Sequence, residues 1–317
     1  AAAERDVVLW ARREELAARL AEERVNADYL PGIALPDRLR LTADLAELAE
    51  CELVIVAVPS HGFRHTVRSF LAVHPGQAPV RLISAAKGIE VDTQARMSQV
   101  AFEEGIAADR DVRFAVLSGP SFAVELARGM ATAVVIAAEE PELATLVQGE
   151  LSSPALRLYS SGDVAGVELG GAVKNVIAIA AGVVAGLGLG HNTLAALVTR
   201  GLHEITRLGI AHGGQPRTFA GLAGLGDLVV TCTGALSRNR RAGLLLAQGQ
   251  TLDEITGGTS MVAEGINSSL AVLRLAERRK VEMPITEQVV ATLHRGKNAR
   301  AALADLMTRE LKAEAEL

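Results

Sequence analysis

The sequence predicts an α/β protein, built from a doubly wound parallel sheet followed by an all-helical C-terminal domain. Three observations lead to this prediction. Short apolar segments alternate with helical patterns in the first half of the chain, and the strand pattern stops near residue 162. The composition is 49% hydrophobic but only 3% aromatic, so packing is aliphatic, as in parallel sheets covered by helices. The length of 317 residues suits two domains, predicted as 1–161 and 162–317.

The predicted strands are runs of aliphatic residues such as "LVIVAV" and "TAVVIAA". Because most of these runs are apolar throughout rather than at alternate positions, we expect helices to cover both faces of each strand. The helical patterns between them complete a Rossmann-like order of strand and helix. The strands are predicted at 7–10, 53–58, 80–86, 113–118, 132–138 and 156–160, and the helices at 14–23, 92–104 and 121–129.

The second half of the chain carries only helical patterns. The first of these helices follows Asp163, whose side chain suits an N-cap. Its apolar stretch 176–189 is shorter than the roughly 20 residues that a membrane span requires, so we expect a buried core helix and no membrane span. The helices are predicted at 163–189, 193–213, 240–248, 262–279, 285–294 and 299–312.

Charge, cysteine and histidine content exclude several classes of protein. A formal net charge of −5 argues against a general nucleic-acid-binding protein. The two cysteines, Cys51 and Cys232, are far apart in sequence and suggest neither a disulfide framework nor a metal motif, which favours a cytoplasmic location. His61 and His65 are four residues apart on a predicted helix, but they lack a third ligand nearby, so no metal site is predicted.

The start of the chain departs from the usual pattern of a dinucleotide-binding sheet. That pattern is a strand, a G-x-G-x-x-G turn and a helix, whereas no glycine precedes Gly32. The "GLGLG" segment at 186–190 follows a helical run and has the wrong spacing. Either the domain is of another type, or its first strand is absent because the chain starts late. We favour the second explanation, and we expect residues 1–317 alone to bind a dinucleotide poorly.

In "GGAVKNVIAI", residues 170–179, a lysine opens an apolar helix. Doubly wound sheets with a helical second domain are common in dehydrogenases, where hydride transfer to a ketone requires a proton donor for the oxygen. An amine in apolar surroundings has a lowered pKa and exchanges protons near neutral pH. Gly170 and Gly171, one turn before Lys174, would leave room for a ligand. From the residues alone, this role and a lysine extending to solvent are equally supported.

Other polar residues lie where ligands bind in such a fold. Lys87 follows the predicted strand 80–86, and the carboxyl ends of parallel strands face the ligand crevice, although a solvated loop lysine fits equally. "SRNRR" at 237–241 offers a phosphate clamp, but a solvated charge run or a nucleic-acid patch has the same pattern. Asp227 either orients an amine or ends a turn. The helix start in "SGPSFA" offers free backbone N–H groups.

Several stretches form an ordered set along the chain: "VVLWARR", "NADYLPG", "VIVAVPS", "AAKGIE", "SGPSFAVELARG", "GVELGGAVKNVIAIAAG", "GLAGLGDLVVTCTGALSRNRR", "VAEG" and "MPITE". Together they resemble the bacterial NAD(P)-dependent glycerol-3-phosphate dehydrogenases over essentially the whole chain. The one departure is the absent glycine turn.

The resemblance implies the reaction and the residues that perform it. The reaction is hydride transfer between NAD(P)H and dihydroxyacetone phosphate, which yields sn-glycerol 3-phosphate for phospholipid synthesis. The implied catalytic residue is Lys174, as proton donor and acceptor. The implied substrate contacts are Lys87, Gly119, Ser121, Lys174, Asp227, Ser237, Arg238 and Asn239. The implied cofactor contacts are Lys87, Ala123, Arg238, Val262 and Glu264, whereas Arg240 and Arg241 are expected at the surface.

The end of the first predicted strand bears on the choice of cofactor. An acidic residue there binds the ribose 2′-hydroxyl of NAD, whereas an arginine accommodates the 2′-phosphate of NADP. "VVLW" is followed by Ala11, Arg12 and Arg13, and Arg12 is the better-placed cofactor contact. We therefore expect NADP to be used at least as well as NAD.

Two other functions fit the sequence less well. One is a related dehydrogenase of another hydroxy acid or sugar phosphate, and the other is a non-enzymatic binding protein without the cofactor turn. A homodimer is compatible with the sequence, and no role is assigned to His191.

Overall fold

The fold is described by a computed structural model, which covers residues 5–76, 78–257, 263–311 and 313–314. Strands and helices alternate in its first half, as predicted. The strands are β1 (Val8–Trp10), β2 (Val25–Asn26), β3 (Leu30–Ala34), β4 (Arg40–Thr42), β5 (Val54–Val56), β6 (Val80–Ser84), β7 (Val112–Ser118), β8 (Thr132–Ala138) and β9 (Leu156–Ser161). The helices of this half are α1 (Glu14–Glu23), α2 (Ser60–Val73), α3 (Met97–Ala107), α4 (Ala123–Ala127) and α5 (Pro141–Leu151).

The described part of the chain after Ser161 is helical, which confirms the predicted change of fold class at this point. Asp163 is the predicted N-cap of the first of these helices, and its side chain accepts a hydrogen bond from the Gly166 N–H at 2.8 Å. The sequence does not predict α8, α9 or α11, because nearby glycines interrupt the apolar pattern. The helices are α6 (Val164–Gly186), α7 (Gly190–Ala211), α8 (Pro216–Phe219), α9 (Asp227–Thr233), α10 (Arg238–Ala247), α11 (Leu252–Gly257), α12 (Glu264–Arg279), α13 (Pro284–His294) and α14 (Ala299–Met307).

The largest sheet has the strand order β5-β6-β7-β8-β9. Strands β5, β6 and β7 are parallel, as are β8 and β9. Strand β1 pairs in parallel with β4 in a separate two-stranded sheet, and β2 and β3 form an antiparallel pair that the sequence did not predict. The Rossmann-like arrangement is therefore confirmed. Its strands lie in two sheets, the β1–β4 pair and the five-stranded sheet.

The prediction of a wholly parallel sheet is wrong at β8, which runs antiparallel to β7. The predicted crossover helix at 121–129 is only the five-residue α4. Strand β8 begins beside the end of β7, where Ser118 pairs with Val135, so the connecting residues 119–131 do not return to the start of β7. A parallel neighbour needs such a return, and an antiparallel one does not.

The predicted helix at 92–104 begins only at Met97. Gln94 has a φ of +60°, which does not continue an α-helix, and its side-chain amide donates to the carbonyl oxygens of Val91 and Asp92 at 2.8 and 2.9 Å. The resulting turn places Arg96 at the N-cap of α3.

Helix α6 is the central element of the second half. By length and a mean hydropathy of 1.6 it could cross a membrane, and 78% of the apolar window is buried inside the protein. Its first turn, with Val164 and Val167, packs into the core beneath β5–β7 and α2. Its later residues form the core of the helical part together with α7, α9, α10, α12 and α13.

Helices α6 and α10 approach each other at two glycines. A Cβ at Gly182 would lie 1.9 Å from the carbonyl oxygen of Arg240, and a Cβ at Gly243 would lie 1.8 Å from that of Ile179. Both distances are far below any van der Waals contact, so only glycine permits the two backbones to lie this close. This contact fixes the position of α10 against α6.

We expect Gly243→Ala to lower the free energy of unfolding by about 2 kcal/mol or more, because the new methyl group must push α10 away from α6. Chemical denaturation of the purified protein measures this. Gly149→Ala in α5 is the matched control, since its Cβ would meet no atom within 4 Å. At this exposed helical position alanine should leave stability unchanged or raise it by up to about 1 kcal/mol. Equal losses in both variants would contradict the role of the helix crossing.

Candidate active site

Lys174 lies on α6 with only 5% of its surface exposed. Its amine donates to Asp227 Oδ1 at 2.5 Å and to Thr231 Oγ1 at 2.8 Å. Asp227 and Thr231 are one turn apart on α9, so both side chains reach the same amine. Lys174 lies near the middle of α6 rather than at its start, and it is buried and hydrogen-bonded rather than extended into solvent.

The carboxylate of Asp227 is shared by two lysines. Its Oδ2 accepts from Lys87 Nζ at 2.8 Å, while Oδ1 accepts from Lys174. Lys87 follows β6, at the carboxyl end of the parallel strands, and its amine also donates to the carbonyl of Gly119 at 2.8 Å. Four residues implied by the resemblance thus meet where the strands end and the helical part begins.

Burial, and then the positive charge of Lys87, lower the pKa of the Lys174 amine, and the net value is about 7. The charge and the hydrogen bond of Asp227 oppose this change but do not cancel it. The sequence left open which of these effects prevails. The amine is consequently close to half-protonated at neutral pH, which suits a group that both donates and accepts protons.

The two glycines before Lys174 do not clear space for a ligand, contrary to the sequence interpretation. A Cβ at Gly170 would lie 2.7 Å from the carbonyl oxygen of Ala223, and one at Gly171 would lie 2.8 Å from Ser118 Oγ. The protein itself fills this space, because the glycines allow the 222–226 turn and the end of β7 to pack directly on α6. Their role is to bring α9 and Lys87 within reach of the amine.

A chain of side-chain amides runs beside the two lysines. Asn175 Nδ2 donates to the carbonyl of Lys87 at 3.0 Å, and Asn175 Oδ1 accepts from Asn239 Nδ2 at 2.9 Å. Asn239 Oδ1 in turn accepts from the backbone N–H of Gly265 at 2.9 Å. The chain ties β6, α6, α10 and α12 together, and leaves Asn239 one Nδ2 hydrogen for a ligand.

The segment expected to clamp a phosphate forms the start of α10. Ser237 is its N-cap and accepts from the Arg240 N–H at 3.2 Å. The Arg238 side chain is exposed and makes neither a hydrogen bond nor an ion pair with any described residue. Ser121 donates its hydroxyl hydrogen to the carbonyl of Gly119 at 3.0 Å. Gly119 has a φ of +137°, which only glycine adopts easily.

The residues implied as cofactor contacts lie at several places. Arg12 directly follows β1 and is exposed, and Ala123 opens α4. Glu264, at the start of α12, accepts from the N–H and the hydroxyl of Ser60 at 3.1 and 2.6 Å, so it reaches the carboxyl end of β5. Val262 lies outside the described residues.

Models of the two domains of NAD-dependent glycerol-3-phosphate dehydrogenase match this chain in order. The N-terminal model matches residues 1–144, and the C-terminal model matches residues 163–304. The chain belongs to this dehydrogenase family.

Members of the glycerol-3-phosphate dehydrogenase family are similar to this chain over nearly its full length. The glycerol-3-phosphate dehydrogenases [NAD(P)+] of Citrifermentans bemidjiense and Geobacter sulfurreducens are each 51% identical to it, over 98% of this chain and 92% of theirs. The crystal structure of the Coxiella burnetii glycerol-3-phosphate dehydrogenase has a TM-score of 0.90 and 36% identity, and covers 96% of this chain and 92% of its own.

The sequence reasoning missed Thr231 as a site residue, and it placed Ser60 at the end of a strand without pairing it with Glu264. Thr231 lies four residues after Asp227, and this helical spacing was the available signal. Ser60, which binds Glu264, follows β5 and stands at the same end of the sheet as Lys87. A cavity of about 730 Å³ elsewhere, lined mainly by α6, α7, α13 and α14, includes neither Lys174 nor Asp227.

Proposed function

We propose that this protein interconverts dihydroxyacetone phosphate and sn-glycerol 3-phosphate with NAD(P)H, and that Lys174 is the proton donor and acceptor. One observation carries the assignment of Lys174: its buried amine, with a pKa of about 7, shares the carboxylate of Asp227 with Lys87 at the carboxyl end of β6. The family and the relatives support the reaction. The geometry supports the choice of residue.

The ammonium of Lys174 has three hydrogens, of which two are held by Asp227 and Thr231. The third is available to the carbonyl oxygen of the substrate. As that carbon is reduced, negative charge develops on the oxygen, and Lys174 donates its proton to form the hydroxyl group. Lys174 is then neutral, and Asp227 continues to orient the amine. In the reverse direction the neutral amine takes the hydroxyl proton.

Lys87 keeps a second positive charge beside the reacting oxygen while its own amine is anchored by Asp227 and Gly119. This charge stabilises the developing oxyanion and also lowers the pKa of Lys174. Arg238, Ser237 and Asn239 at the start of α10 bind the phosphate end of the substrate in this proposal. An arginine side chain that no described residue pairs, beside helix N–H groups, is suited to a dianion.

The residues around the sheet fit a dinucleotide. A Cβ at Gly88 would lie 2.5 Å from Ser60 Oγ and 2.9 Å from Glu264 Oε2, so the ends of β5 and β6 form a close-packed polar edge of the kind that binds nucleotides in doubly wound folds. We assign Arg12, Lys87, Ala123, Arg238 and Glu264 as cofactor contacts, with Val262 as a further prediction. The bound nicotinamide supplies or accepts the hydride.

The remaining parts of the proposal concern the setting of the enzyme. We expect a cytoplasmic homodimer that supplies glycerol 3-phosphate for phospholipid synthesis. Two unpaired cysteines support the reducing compartment. The division into domains at 161 and 162 is likewise a prediction, supported by the change from strands to helices at this point.

The function is tested by measuring the oxidation of NADH and of NADPH in the presence of dihydroxyacetone phosphate. We expect the kcat/KM for reduction to fall as the pH rises through about 7, because the protonated form of Lys174 is then lost. The kcat/KM for oxidation of glycerol 3-phosphate should rise over the same range, because that direction needs the neutral amine. Profiles with the same slope in both directions would exclude Lys174 as the proton carrier, and NAD(P)H oxidation that does not depend on dihydroxyacetone phosphate would refute the function.

Exchanging Arg12 for aspartate should shift the preference toward NADH by about tenfold or more in the ratio of kcat/KM values. The guanidinium would no longer bind the 2′-phosphate of NADPH, and a carboxylate favours the 2′-hydroxyl of NADH. Arg13→Asp is the matched control and should change the ratio little. A ratio that responds to Arg13 and not to Arg12 would reassign the 2′-phosphate contact.

A further inference from the structure

A second polar cleft lies between the two halves of the protein, apart from the residues of the candidate active site. It has a volume of about 370 Å³. On one side is the segment from Thr93 to Glu103, which includes the start of α3, and on the other are His212 and the end of α12. We call it the arginine cleft, because Arg96, Arg278 and Arg279 line it.

Two of the three positive charges in the arginine cleft, those of Arg278 and Arg279, have no counter-ion among the described residues. Arg278 and Arg279 are exposed and form no ion pair with any residue that the structure describes. The Arg96 guanidinium uses Nη1 for both its side-chain bonds, to Ser98 Oγ at 3.0 Å and Glu168 Oε2 at 2.5 Å, and its Nε and Nη2 have no partner in the described ranges. The one lining carboxylate, Glu103, is paired with Arg64 at 2.7 Å.

The histidine in the cleft is affected by this excess of positive charge. Burial lowers the pKa of His212, a hydrogen bond with the Leu275 carbonyl opposes that change, and the charges of Arg279 and Arg96 lower the pKa further. Arginines from both halves of the molecule therefore act on the same imidazole. Like charges brought together in this way repel one another unless an anion lies between them.

The size of the cleft restricts what such an anion could be. A volume of about 370 Å³ is at the small end of ligand pockets and has no room for a nucleic-acid strand or a folded partner. Guanidinium groups bind phosphate oxygens in pairs of parallel hydrogen bonds. A compact ligand with two or more negative charges would satisfy several of these groups at once.

We propose that the arginine cleft binds a small phosphate-bearing polyanion, which bridges Arg96 of the first half and Arg278 and Arg279 of the second. The bound anion would neutralise Arg278 and Arg279, accept hydrogen bonds from the remaining guanidinium nitrogens of Arg96, and hold α3 against α12. It would also act on the helix that carries Lys174, because Arg96 and Glu168 are bonded to each other and Glu168 lies on α6. This binding site is distinct from the phosphate clamp proposed at Arg238.

Calorimetric titration of the full chain with inorganic pyrophosphate at low ionic strength tests the proposal. We expect the double variant Arg278→Ser/Arg279→Ser to bind pyrophosphate at least about tenfold more weakly than the original protein. Arg274→Ser is the matched control, because it is an exposed arginine on the same helix that does not line the cleft. Its affinity should be unchanged.

Arg238→Ser separates this cleft from the candidate active site. If it binds pyrophosphate as the original protein does, the anion is not in the phosphate clamp, as we expect. Loss of binding in Arg238→Ser with full binding in the double variant would overturn the arginine cleft, as would the absence of binding in the original protein. The melting temperature without ligand verifies that each variant is folded, and Arg279→Gln alone replaces the double variant if that one is not.

Discussion

Lys174→Ala should reduce turnover by more than about 10⁴-fold while the protein remains folded and still binds its cofactor. Proton-transfer groups contribute about 10²–10⁴-fold to a rate, and the lost positive charge beside the oxyanion adds to this. The variant leaves the carboxylate of Asp227 paired with Lys87, so the buried charge keeps a partner. Steady-state kinetics in both directions measures the loss, and cofactor titration by fluorescence measures the retained binding.

Two comparisons separate a chemical role of Lys174 from a packing role. Val173→Ala truncates the neighbouring, fully buried side chain on the same helix and should reduce stability but not kcat. Small primary amines added to Lys174→Ala should restore part of the rate, because they supply the missing acid in the space left by the side chain. A Lys174→Ala rate within threefold of the original would refute the assignment.

Arg238→Ala should raise the KM for dihydroxyacetone phosphate by about 10²-fold or more, with a smaller effect on kcat. A paired, charge-assisted interaction with phosphate is lost, and each such hydrogen bond contributes about 1.5–3 kcal/mol. Since Arg238 is exposed and has no ion-pair partner among the described residues, the free energy of unfolding should change little. Initial-rate kinetics and chemical denaturation measure the two quantities.

The phosphate itself gives the sharpest control for Arg238. Dihydroxyacetone, which lacks it, should be reduced by Arg238→Ala about as slowly as by the original enzyme. Arg241→Ala, an exposed arginine on the same helix, should leave the KM for dihydroxyacetone phosphate unchanged. If both substrates lose the same factor, Arg238 does not hold the phosphate.

The sequence predicted the positions of the strands and helices better than the relative directions of the strands. Aliphatic runs locate the strands, because a strand buried on both faces needs an apolar residue at every position. The direction of β8 depends on whether the connection from β7 is long enough to cross the sheet, and the apolar pattern at 121–129 does not reveal that α4 ends at Ala127. Gln94 likewise prevents a helix from starting at residue 92, because its φ is +60°. The residue type of glutamine does not predict this backbone conformation.

The candidate site shows a similar limit. Lys174, Asp227 and Lys87 each belong to a distinctive motif, so each could be named from the sequence. That one carboxylate serves both amines depends on contacts across 140 positions of the chain, which spacing alone does not reveal. The glycines before Lys174 were correctly singled out but wrongly explained, because the close approach of Ala223 and Ser118 is a property of the packed structure.

Helix α6 has a consequence for how the protein comes apart. Its first turn completes the core beneath the sheet, and its later turns form the centre of the helical core. If α6 leaves either core, the other core loses apolar side chains as well. Local unfolding of one core therefore destabilises the other. The two halves are thus coupled in unfolding as a single cooperative unit, although each has a core of its own.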